Sequence, residues 1–509
     1  MNRLAKIVLA STCLLPLVLP LATVAGGPID PNNPPGGLFL DEWQEIYLLG
    51  GKIGYGHLTM SRRQDRIHTS TMMQMKIERA GIVVEMKVAQ NTIETLSGEP
   101  IEFDFVTEMG KQPTRMKGTI AQGKVNIVTS QYGMERTQSL DFSAGSLMAW
   151  GLHRQMLLRG FEPGTEYSLP VYSPDIRLDA PITAAYRIGE EESYKHRGES
   201  HRGRKVVFTL RVPAGELEML LWVDADGNAV KAVIPMAGLT MELLRTDQET
   251  AMADFVPPEF FMRTVVPSNR RINPDAAKRI KYRLSLKERS DAVLDVPSSG
   301  MQSVVKRDHG SVDLLVQRQD HQALGKAPPA DPSSVASEFL AGNIILNTDD
   351  TELIKLADRA TAGATRPIEI ASRLREFVAE YVKEKSLGIG FATASEVCRA
   401  REGDCSEHAV LLAALGRIKG LPSRVAVGLV YVPRFGGQND VFGFHMWTQF
   451  WIGGQWVDFD AALSESQCSP TRIAFVANSL KDTGLVEIGL ALMEVIGTIN
   501  VEVLEIDGK

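Results

Sequence analysis

Apolar and polar residues alternate along most of the chain between residues 38 and 256. Residues 73–78 read Met-Gln-Met-Lys-Ile-Glu, and residues 101–105 read Ile-Glu-Phe-Asp-Phe. A period of two is typical of antiparallel strands that bury one face. Turn residues such as Asp226-Gly227-Asn228 separate these segments, and helical spacing predicts one helix near residues 145–158. We therefore expect a β-rich N-terminal domain over residues 38–256, built as a sandwich or an open barrel.

The pattern changes twice after this domain. Residues 257–327 are predicted to form a small strand-rich connecting region, because apolar and polar residues alternate over 280–286. From residue 328 to residue 509 helical spacing comes first, with an apolar face predicted over 368–382, and strand-like segments follow. The predicted strands are 423–432, 445–452 and 455–459. This order of elements predicts an α+β fold class.

Residues 403–415 are the most informative stretch of the C-terminal domain. They read Gly-Asp-Cys-Ser-Glu-His-Ala-Val-Leu-Leu-Ala-Ala-Leu, which predicts a turn that delivers Cys405 onto the first turn of a buried helix. A helix N-terminus carries partial positive charge, so it favours a thiolate and can stabilise an oxyanion. We expect polar, accessible surroundings for Cys405, unlike those of an inert core thiol. Asp404 and Glu407 fit helix capping or supporting hydrogen bonds better than catalysis.

Two later segments offer partners for this thiol. His445 enters one predicted strand, and Asp458 and Asp460 end the next. A thiol that attacks an amide needs an imidazole to hold it as thiolate and to protonate the leaving amine, while a carboxylate fixes the imidazole tautomer. The turn at Gly453-Gly454 could set the histidine and a carboxylate side by side. Spacing alone leaves both carboxylates open, because residues two apart on a strand share a face.

Three motifs together resemble the bacterial transglutaminase-like superfamily over residues 330–509. They are GDCSEHAVLLAALGRIKGLPSRVAVGLVY, HMWTQFWIGGQW and VDFDAAL. The resemblance implies a papain-like thiol fold, with helices packed on an antiparallel sheet. It also implies that Cys405 is the nucleophile, His445 the general base and acid, and Asp460 the orienting carboxylate, with Asp458 as the competitor for that role. An Asp-Ala-Ala sequence stands here where many relatives have aspartate followed by proline.

His408 and Trp447 each have two interpretations. His408 lies three residues after Cys405 on the same predicted helix face. The four residues Cys405, His408, His445 and Cys468 would supply four soft zinc ligands. The sequence has no second pair of closely spaced Cys or His residues, and a bound metal would stop the thiol from acting as a nucleophile. We therefore expect His408 to pack or to form hydrogen bonds, and we expect neither a metal nor a cofactor. Trp447 either frames the site or packs beneath it, with core packing favoured.

The N-terminus predicts export. Arg3 and Lys6 precede an uncharged run over residues 7–25, which is the pattern of a signal peptide or of an uncleaved membrane anchor. Residues 26–37 then read as a linker, and the rest of the protein is expected to be periplasmic or secreted. Three cysteines follow the leader, so at least one thiol stays free even if two of them pair. These are Cys398, Cys405 and Cys468, and a Cys398–Cys468 disulfide is one possible pairing.

Composition narrows the range of partners. The net charge is −7 and basic clusters are short, so we expect no nucleic-acid partner. Residues 224–228 resemble the start of a calcium loop but lack its closing glutamate, so a hairpin turn is expected. The chain is therefore predicted to be an exported thiol enzyme with a protein or peptide substrate. The alternative is a cell-envelope binding protein whose thiol domain is vestigial, with a membrane contact only through an uncleaved leader.

Overall fold

The computed structural model describes residues 29–79, 81–109, 112–131, 134–213, 215–224, 227–236, 239–259, 261–287, 294–326, 334–386, 388–389, 391–481 and 484–507. The predicted export segment over residues 1–25 lies outside them. Backbone contacts divide the described residues into two compact units. The N-terminal unit takes residues 29–78 and 85–258, and the C-terminal unit takes residues 79, 81–84 and 259–507.

The described part of the N-terminal unit contains one continuous fourteen-stranded sheet. Its strand order is β8-β7-β6-β5-β4-β3-β2-β1-β14-β13-β12-β11-β10-β9, with β1 antiparallel to both β2 and β14. A sandwich needs two separate sheets, and this topology has one. The strands are β1 (Gly37–Leu48), β2 (Gly51–Arg63), β3 (Arg66–Arg79), β4 (Ile82–Thr95), β5 (Pro100–Glu108), β6 (Thr114–Ala121), β7 (Lys124–Gln131), β8 (Met134–Asp141), β9 (Glu166–Val171), β10 (Ile182–His196), β11 (Glu199–Val212), β12 (Gly215–Val223), β13 (Ala229–Met236) and β14 (Leu239–Thr246).

The apolar residues of the alternating pattern form the core of this unit. Met73, Met75 and Ile77 on β3 are fully buried, while the polar residues between them are partly exposed. The turn between β12 and β13 begins at Asp224, whose Oδ1 accepts a hydrogen bond from the backbone N–H of Asn228 at 2.9 Å. The hairpin turn predicted there is confirmed.

In the described residues of this unit, two helices accompany the sheet, α1 (Ala149–Arg159) and α2 (Gln248–Met252). The N-terminus of α1 is held by a fully buried carboxylate on β4. Glu94 accepts hydrogen bonds from the backbone N–H groups of Trp150 and Gly151, both at 2.7 Å. Burial raises the pKa of Glu94 to about 7, although these hydrogen bonds oppose the increase. A helix start inside a core needs such an acceptor for its N–H groups.

The described part of the C-terminal unit contains two smaller sheets. One has the order β15-β20-β19-β22, with β21 paired to β20, and the other has the order β17-β18-β16-β23. The strands are β15 (Val266–Pro267), β16 (Arg279–Leu286), β17 (Gln302–Asp308), β18 (Ser311–Gln317), β19 (Ser423–Phe435), β20 (Gln438–Ile452), β21 (Gln455–Phe459), β22 (Arg472–Asn478) and β23 (Ile499–Asp507). The helices are α3 (His321–Leu324), α4 (Thr351–Ala360), α5 (Pro367–Tyr381), α6 (Ala394–Ala400), α7 (Cys405–Ile418) and α8 (Gly484–Met493), with 3-10 turns at Phe261–Thr264 and Ser337–Phe339.

The region predicted as a connector shares a sheet with the last strand of the chain. Strand β16 pairs antiparallel with β18 and also with β23, where Tyr282 lies opposite Val503. The four-stranded sheet therefore joins residues that are more than 200 positions apart. Local periodicity identifies such strands but carries no information about a pairing over this distance.

Helix α7 is the central helix of the C-terminal unit. Residues 405–417 are all buried, and the helix packs against α4, α5 and α6 and against strands β19 and β20. A helix that is buried on every side belongs to a core. Among the described helices, none is both long and apolar enough to cross a membrane.

Candidate active site

The chain places Cys405 at the first position of α7. Asp404 is the N-cap residue, and its Oδ1 accepts a hydrogen bond from the backbone N–H of Ser406 at 3.0 Å. The side chain of Glu407 accepts a hydrogen bond from the backbone N–H of Asp404 at 3.0 Å, which completes a capping box. Two buried carboxylates thus fix the start of the helix, and the thiol lies at its positive end.

A β-hairpin supplies the other two members of the site. Strands β20 and β21 pair antiparallel, with Gln449 opposite Asp458. His445 lies on β20, and Asp460 follows directly after β21. The distance from His445 Nε2 to Asp460 Oδ2 is 2.6 Å. Helix α7 is tied to the same hairpin, because Thr448 Oγ1 donates a hydrogen bond to the carbonyl of Ala409 at 3.0 Å.

The thiol of Cys405 forms a hydrogen bond with the imidazole of His445. Since Nε2 of His445 faces Asp460, Nδ1 is the ring nitrogen left for the thiol. The structure therefore brings Cys405, His445 and Asp460 together in the order thiol, imidazole, carboxylate. This arrangement allows the imidazole to exchange a proton with the thiol while the carboxylate holds the ring orientation.

Cys405, His445 and Asp460 change one another's pKa. Burial lowers the pKa of His445, but Asp460 and Cys405 raise it, and the outcome is a pKa above the ordinary value. Burial raises the pKa of Asp460, yet His445 and Arg472 lower it far below the usual range. For Cys405, burial and the Asp404 carboxylate raise the pKa, whereas the charge of His445 and its hydrogen bond lower it. The attraction between the Cys405 thiolate and the His445 imidazolium favours this ion pair, while the burial of both groups and the Asp404 carboxylate oppose it.

Asp458 has different partners. Its Oδ1 accepts hydrogen bonds from Trp447 Nε1 at 2.5 Å and from Gln449 Nε2 at 2.8 Å. Its Oδ2 accepts one from the backbone N–H of Met301 at 2.8 Å. Strand β21 ends at Phe459, so the rule that residues two apart share a face no longer holds between Asp458 and Asp460. The carboxylate that reaches His445 is the one beyond the strand.

His408 and Trp447 lie beside the three groups. Nδ1 of His408 is 2.6 Å from the carbonyl oxygen of Asp404, and burial lowers the pKa of His408. Trp447 is buried in a small apolar cluster with Ala426 and Ala474. Its ring lies nearly parallel to that of His445, with 6.2 Å between centroids. Within the described ranges, no three His, Cys, Asp or Glu side chains are grouped so that they could hold a metal ion.

The prediction of an accessible thiol is wrong for this structure. Cys405 is 3% exposed, His445 2% and Asp460 3%. The reason is that α7 begins inside the unit, so its N-terminus meets buried capping groups instead of solvent. Cys398 and Cys468 are also buried, and all three cysteines of the described residues are free. The possible Cys398–Cys468 disulfide is therefore not formed.

Two arginines of the site were not predicted. Arg472 Nη2 donates a hydrogen bond to Asp460 Oδ2 at 2.7 Å. Arg79, which belongs to the C-terminal unit by its contacts, donates to Asp404 Oδ2 at 2.9 Å and to the carbonyl of Ile389 at 3.0 Å. A signal existed for Arg472, since it opens the otherwise apolar stretch Arg-Ile-Ala-Phe-Val-Ala. Nothing in the local sequence marks Arg79.

Comparison with protein families supports the predicted resemblance. Residues 354–461 match the model of the transglutaminase-like superfamily. The matched range contains Cys405, His445 and Asp460. Residues 354–461 thus match a transglutaminase-like domain, and the helices and antiparallel sheets of the structure confirm the α+β fold class. No curated protein matches the sequence.

Several solved structures are similar to parts of the chain. A "Putative Cysteine Protease" from Cytophaga hutchinsonii is 16% identical, with 45% of this chain and 89% of that chain covered and a TM-score of 0.29. A beta-barrel-like protein of a domain of unknown function from Brucella abortus is 12% identical, with 41% and 99% covered and a TM-score of 0.32. A "Putative Protease" from Parabacteroides distasonis is 10% identical, with 76% and 65% covered and a TM-score of 0.19.

Proposed function

We propose that this protein is an exported thiol enzyme that acts on amide bonds through a thioester at Cys405. The observation that carries the proposal is the contact chain from the Cys405 thiol through His445 to Asp460. The transglutaminase-like match over residues 354–461 supports the same class of chemistry. Export rests on the leader pattern in residues 1–25.

The first half of the reaction forms the thioester. The thiolate of Cys405 attacks the carbonyl carbon of the substrate, and the carbonyl oxygen takes the negative charge. The positive end of α7 stabilises this oxyanion. The imidazolium of His445 then gives its proton to the leaving amine as the carbon–nitrogen bond breaks. Asp460 holds the ring in place throughout this step.

The second half releases the acyl group. Neutral His445 removes a proton from water or from an amine, which attacks the thioester carbon and expels the Cys405 thiolate. The proton stays on His445, so the thiolate–imidazolium pair is restored. Water gives hydrolysis of a protein or peptide, and an amine gives acyl transfer. The same three residues serve both outcomes.

The burial of the site favours a second candidate function. A carbonyl carbon must approach the sulfur closely for attack, yet Cys405 is 3% exposed. If substrate binding does not uncover the thiol, the transglutaminase-like domain serves only as part of a cell-envelope binding protein. The N-terminal sheet would then carry the recognition.

Alkylation followed by peptide mapping separates the two candidates. We expect iodoacetamide at near-neutral pH to modify Cys405 in the wild type, and the Cys405→Ala variant to lose that modification. The matched control is Cys468→Ala, which removes another buried thiol and should leave the labelling of Cys405 unchanged. A wild type in which Cys405 resists the reagent, or equal labelling of wild type and Cys405→Ala, favours the binding protein.

A small acyl donor tests the chemistry itself. With p-nitrophenyl acetate, the enzyme should release nitrophenolate and carry an acetyl group on Cys405 that mass spectrometry detects. Added methylamine should yield N-methylacetamide if acyl transfer competes with hydrolysis. The His445→Ala variant should lose acylation. Acylation of Cys405 that is independent of His445 would contradict the proposed mechanism.

Export is tested separately from the chemistry. Expression of the full chain in a bacterial host, followed by fractionation and N-terminal sequencing, should find the protein outside the cytoplasm. A new N-terminus near residue 26 indicates cleavage, and an intact leader in the membrane fraction indicates an anchor. Recovery in the cytoplasm alone contradicts export.

A further inference from the structure

Arg472 is a buried cation that contacts the same carboxylate as His445. Its side chain is fully excluded from solvent, and two of its nitrogens, Nη2 and Nε, donate to Asp460 Oδ2 at 2.7 and 3.2 Å. The same oxygen lies 2.6 Å from Nε2 of His445. One carboxylate oxygen is thus shared between the imidazole and the guanidinium.

The contacts continue beyond Arg472. Its third nitrogen, Nη1, donates to Oε2 of Glu465 at 3.0 Å and reaches Ser469 at longer distance. Glu465 also accepts a hydrogen bond from the backbone N–H of Ser469 at 2.9 Å. Strand pairing fixes the arginine, since Arg472 lies opposite Val430 of β19. From the thiolate outward, the charges therefore alternate in sign through five residues, Cys405, His445, Asp460, Arg472 and Glu465.

We propose that Arg472 is a positioning residue that sets how strongly Asp460 holds a proton on His445, and that Glu465 modulates Arg472 in turn. This inference rests on the proposed function, because it describes the tuning of the same site. An uncompensated Asp460 carboxylate would stabilise the imidazolium so strongly that His445 would be a poor proton donor to the leaving amine. Because Arg472 shares the carboxylate oxygen, it weakens that effect. The pKa of His445 is then closer to neutral pH than it would be beside an uncompensated carboxylate.

Other charged or titratable groups near these atoms also influence the pKa of His445 and of its neighbours. Arg375 Nε bonds the backbone carbonyl of Asp460, not its carboxylate, at 2.9 Å. The remaining two Asp460 contacts are backbone N–H donors, from Ala462 and Leu463, to Oδ1. At longer range, Cys468 and Asp458 interact with Arg472. His408, which Lys385 also affects, interacts with Asp460, and Asp404 acts on the Cys405 thiol. Each is left unchanged by the variants below, so their effects cancel in the comparison.

Alkylation by iodoacetate measures the proton on His445. The reagent is an anion, so the imidazolium attracts it to the thiolate, and the rate falls when His445 loses its proton at alkaline pH. Mass spectrometry gives the rate of modification at Cys405 across the pH range. The alkaline limb of this rate–pH profile is the fall in rate at high pH, and its position reports the pH at which His445 loses its proton. The variants are Arg472→Gln, Arg472→Lys and Glu465→Gln. Asp358→Asn is the matched control, since it neutralises a carboxylate that pairs with Lys419 at 3.0 Å on the surface.

The expected shifts have opposite signs. Arg472→Gln should move the alkaline limb up by about one pH unit, because Asp460 then acts on His445 without compensation. Arg472→Lys keeps a cation and should restore the limb most of the way. Glu465→Gln should move the limb to lower pH, because Arg472 is then less neutralised. The Asp358→Asn control should not move it.

The inference about Arg472 can be tested even if one variant fails to fold. If Arg472→Gln does not fold, Glu465→Gln still tests the proposal, since the Glu465 side chain is 18% exposed and lies at the outer end of the chain of charges. Limbs that stay fixed, or that move in the same direction in Arg472→Gln and Glu465→Gln, overturn the inference while the alkylation of wild-type Cys405 leaves the proposed function standing. No alkylation of wild-type Cys405 at any pH overturns both.

Discussion

The imidazole of His445 and the carboxylate of Asp460 lie 2.6 Å apart, although both are almost completely excluded from solvent. A charge-assisted hydrogen bond in such a place is strong, and removing the Asp460 carboxylate leaves both His445 and the buried Arg472 cation without their shared acceptor. The pair therefore links the protonation state of His445 to the reactivity of Cys405.

Replacing Asp460 by asparagine should shift the titration of His445 downward. Asp460 raises the pKa of His445, and a raised pKa means that the imidazolium survives to higher pH. In Asp460→Asn that stabilisation is lost while the Arg472 charge remains, so His445 gives up its proton at lower pH. The alkaline limb of iodoacetate alkylation at Cys405 should move to lower pH by at least about one unit. A limb at or above the wild-type position would contradict this assignment.

Replacing Asp404 by asparagine should lower the pKa of the Cys405 thiol. The Asp404 carboxylate raises that pKa, and asparagine keeps the N-cap hydrogen bond without the charge. The acid limb of iodoacetamide alkylation should therefore move to lower pH, because the thiolate persists further into acid. Ser406→Ala, which leaves the carboxylate in place, is the matched control. An acid limb that moves to higher pH would show that the cap acts mainly by positioning.

Asp458 should matter for stability and not for the titration of His445. It accepts hydrogen bonds from Trp447, Gln449 and Met301 inside the unit. Asp458→Ala leaves these buried donors without an acceptor, which should cost on the order of 2–4 kcal/mol of unfolding free energy. Urea denaturation measures the loss. The alkaline limb of iodoacetate alkylation should stay within the wild-type range, and a large shift would return Asp458 to the list of catalytic candidates.

Cys398 and Cys468 should be unreactive in the folded protein. Burial raises the pKa of both thiols, so both remain protonated near neutral pH, and a thiol is a far weaker nucleophile than a thiolate. Peptide mapping after brief iodoacetamide treatment should find Cys405 modified and the other two unmodified. All three should react in urea. Modification of Cys468 at the rate of Cys405 would show that the imidazole does not activate the thiol selectively.

Glu94 should make the N-terminal unit less stable as the pH rises. Its folded pKa of about 7 lies above the ordinary 4.5, so its contribution to stability is fully present below about pH 4.5 and is lost as the pH rises through about 7. The linked change is about 3 kcal/mol of unfolding free energy. Urea unfolding at pH 5 and pH 7.5, followed by hydrogen exchange in α1 peptides, measures it.

The Glu94→Gln variant should show a smaller loss of stability between the two pH values than the wild type. Glu99→Gln is the matched control, since Glu99 is exposed and should leave the difference unchanged. Equal pH dependence in wild type and Glu94→Gln would mean that Glu94 is ionised in the folded protein throughout this range. The hydrogen bonds from Trp150 and Gly151 would then outweigh the cost of burial.

The sequence by itself determined most of the elements and predicted the candidate reactive groups. Alternation over the N-terminal half predicted the strands, because one buried face imposes a period of two. The glycine-led turn before Cys405 predicted the helix start, and the motifs around Cys405 and His445 predicted the superfamily resemblance. These features are local, so neighbouring residues are sufficient to define them.

Only the tertiary structure decided which groups meet. The resemblance already favoured Asp460, but the physical reason that Asp460 and not Asp458 meets His445 is that β21 ends at Phe459. The burial of Cys405 depends on the helices and strands packed around α7. Arg472 reaches Asp460 because β22 pairs with β19, and β23 joins β16 across more than 200 residues. Such contacts depend on strand pairing and packing between distant segments, and a local pattern of residues does not specify them.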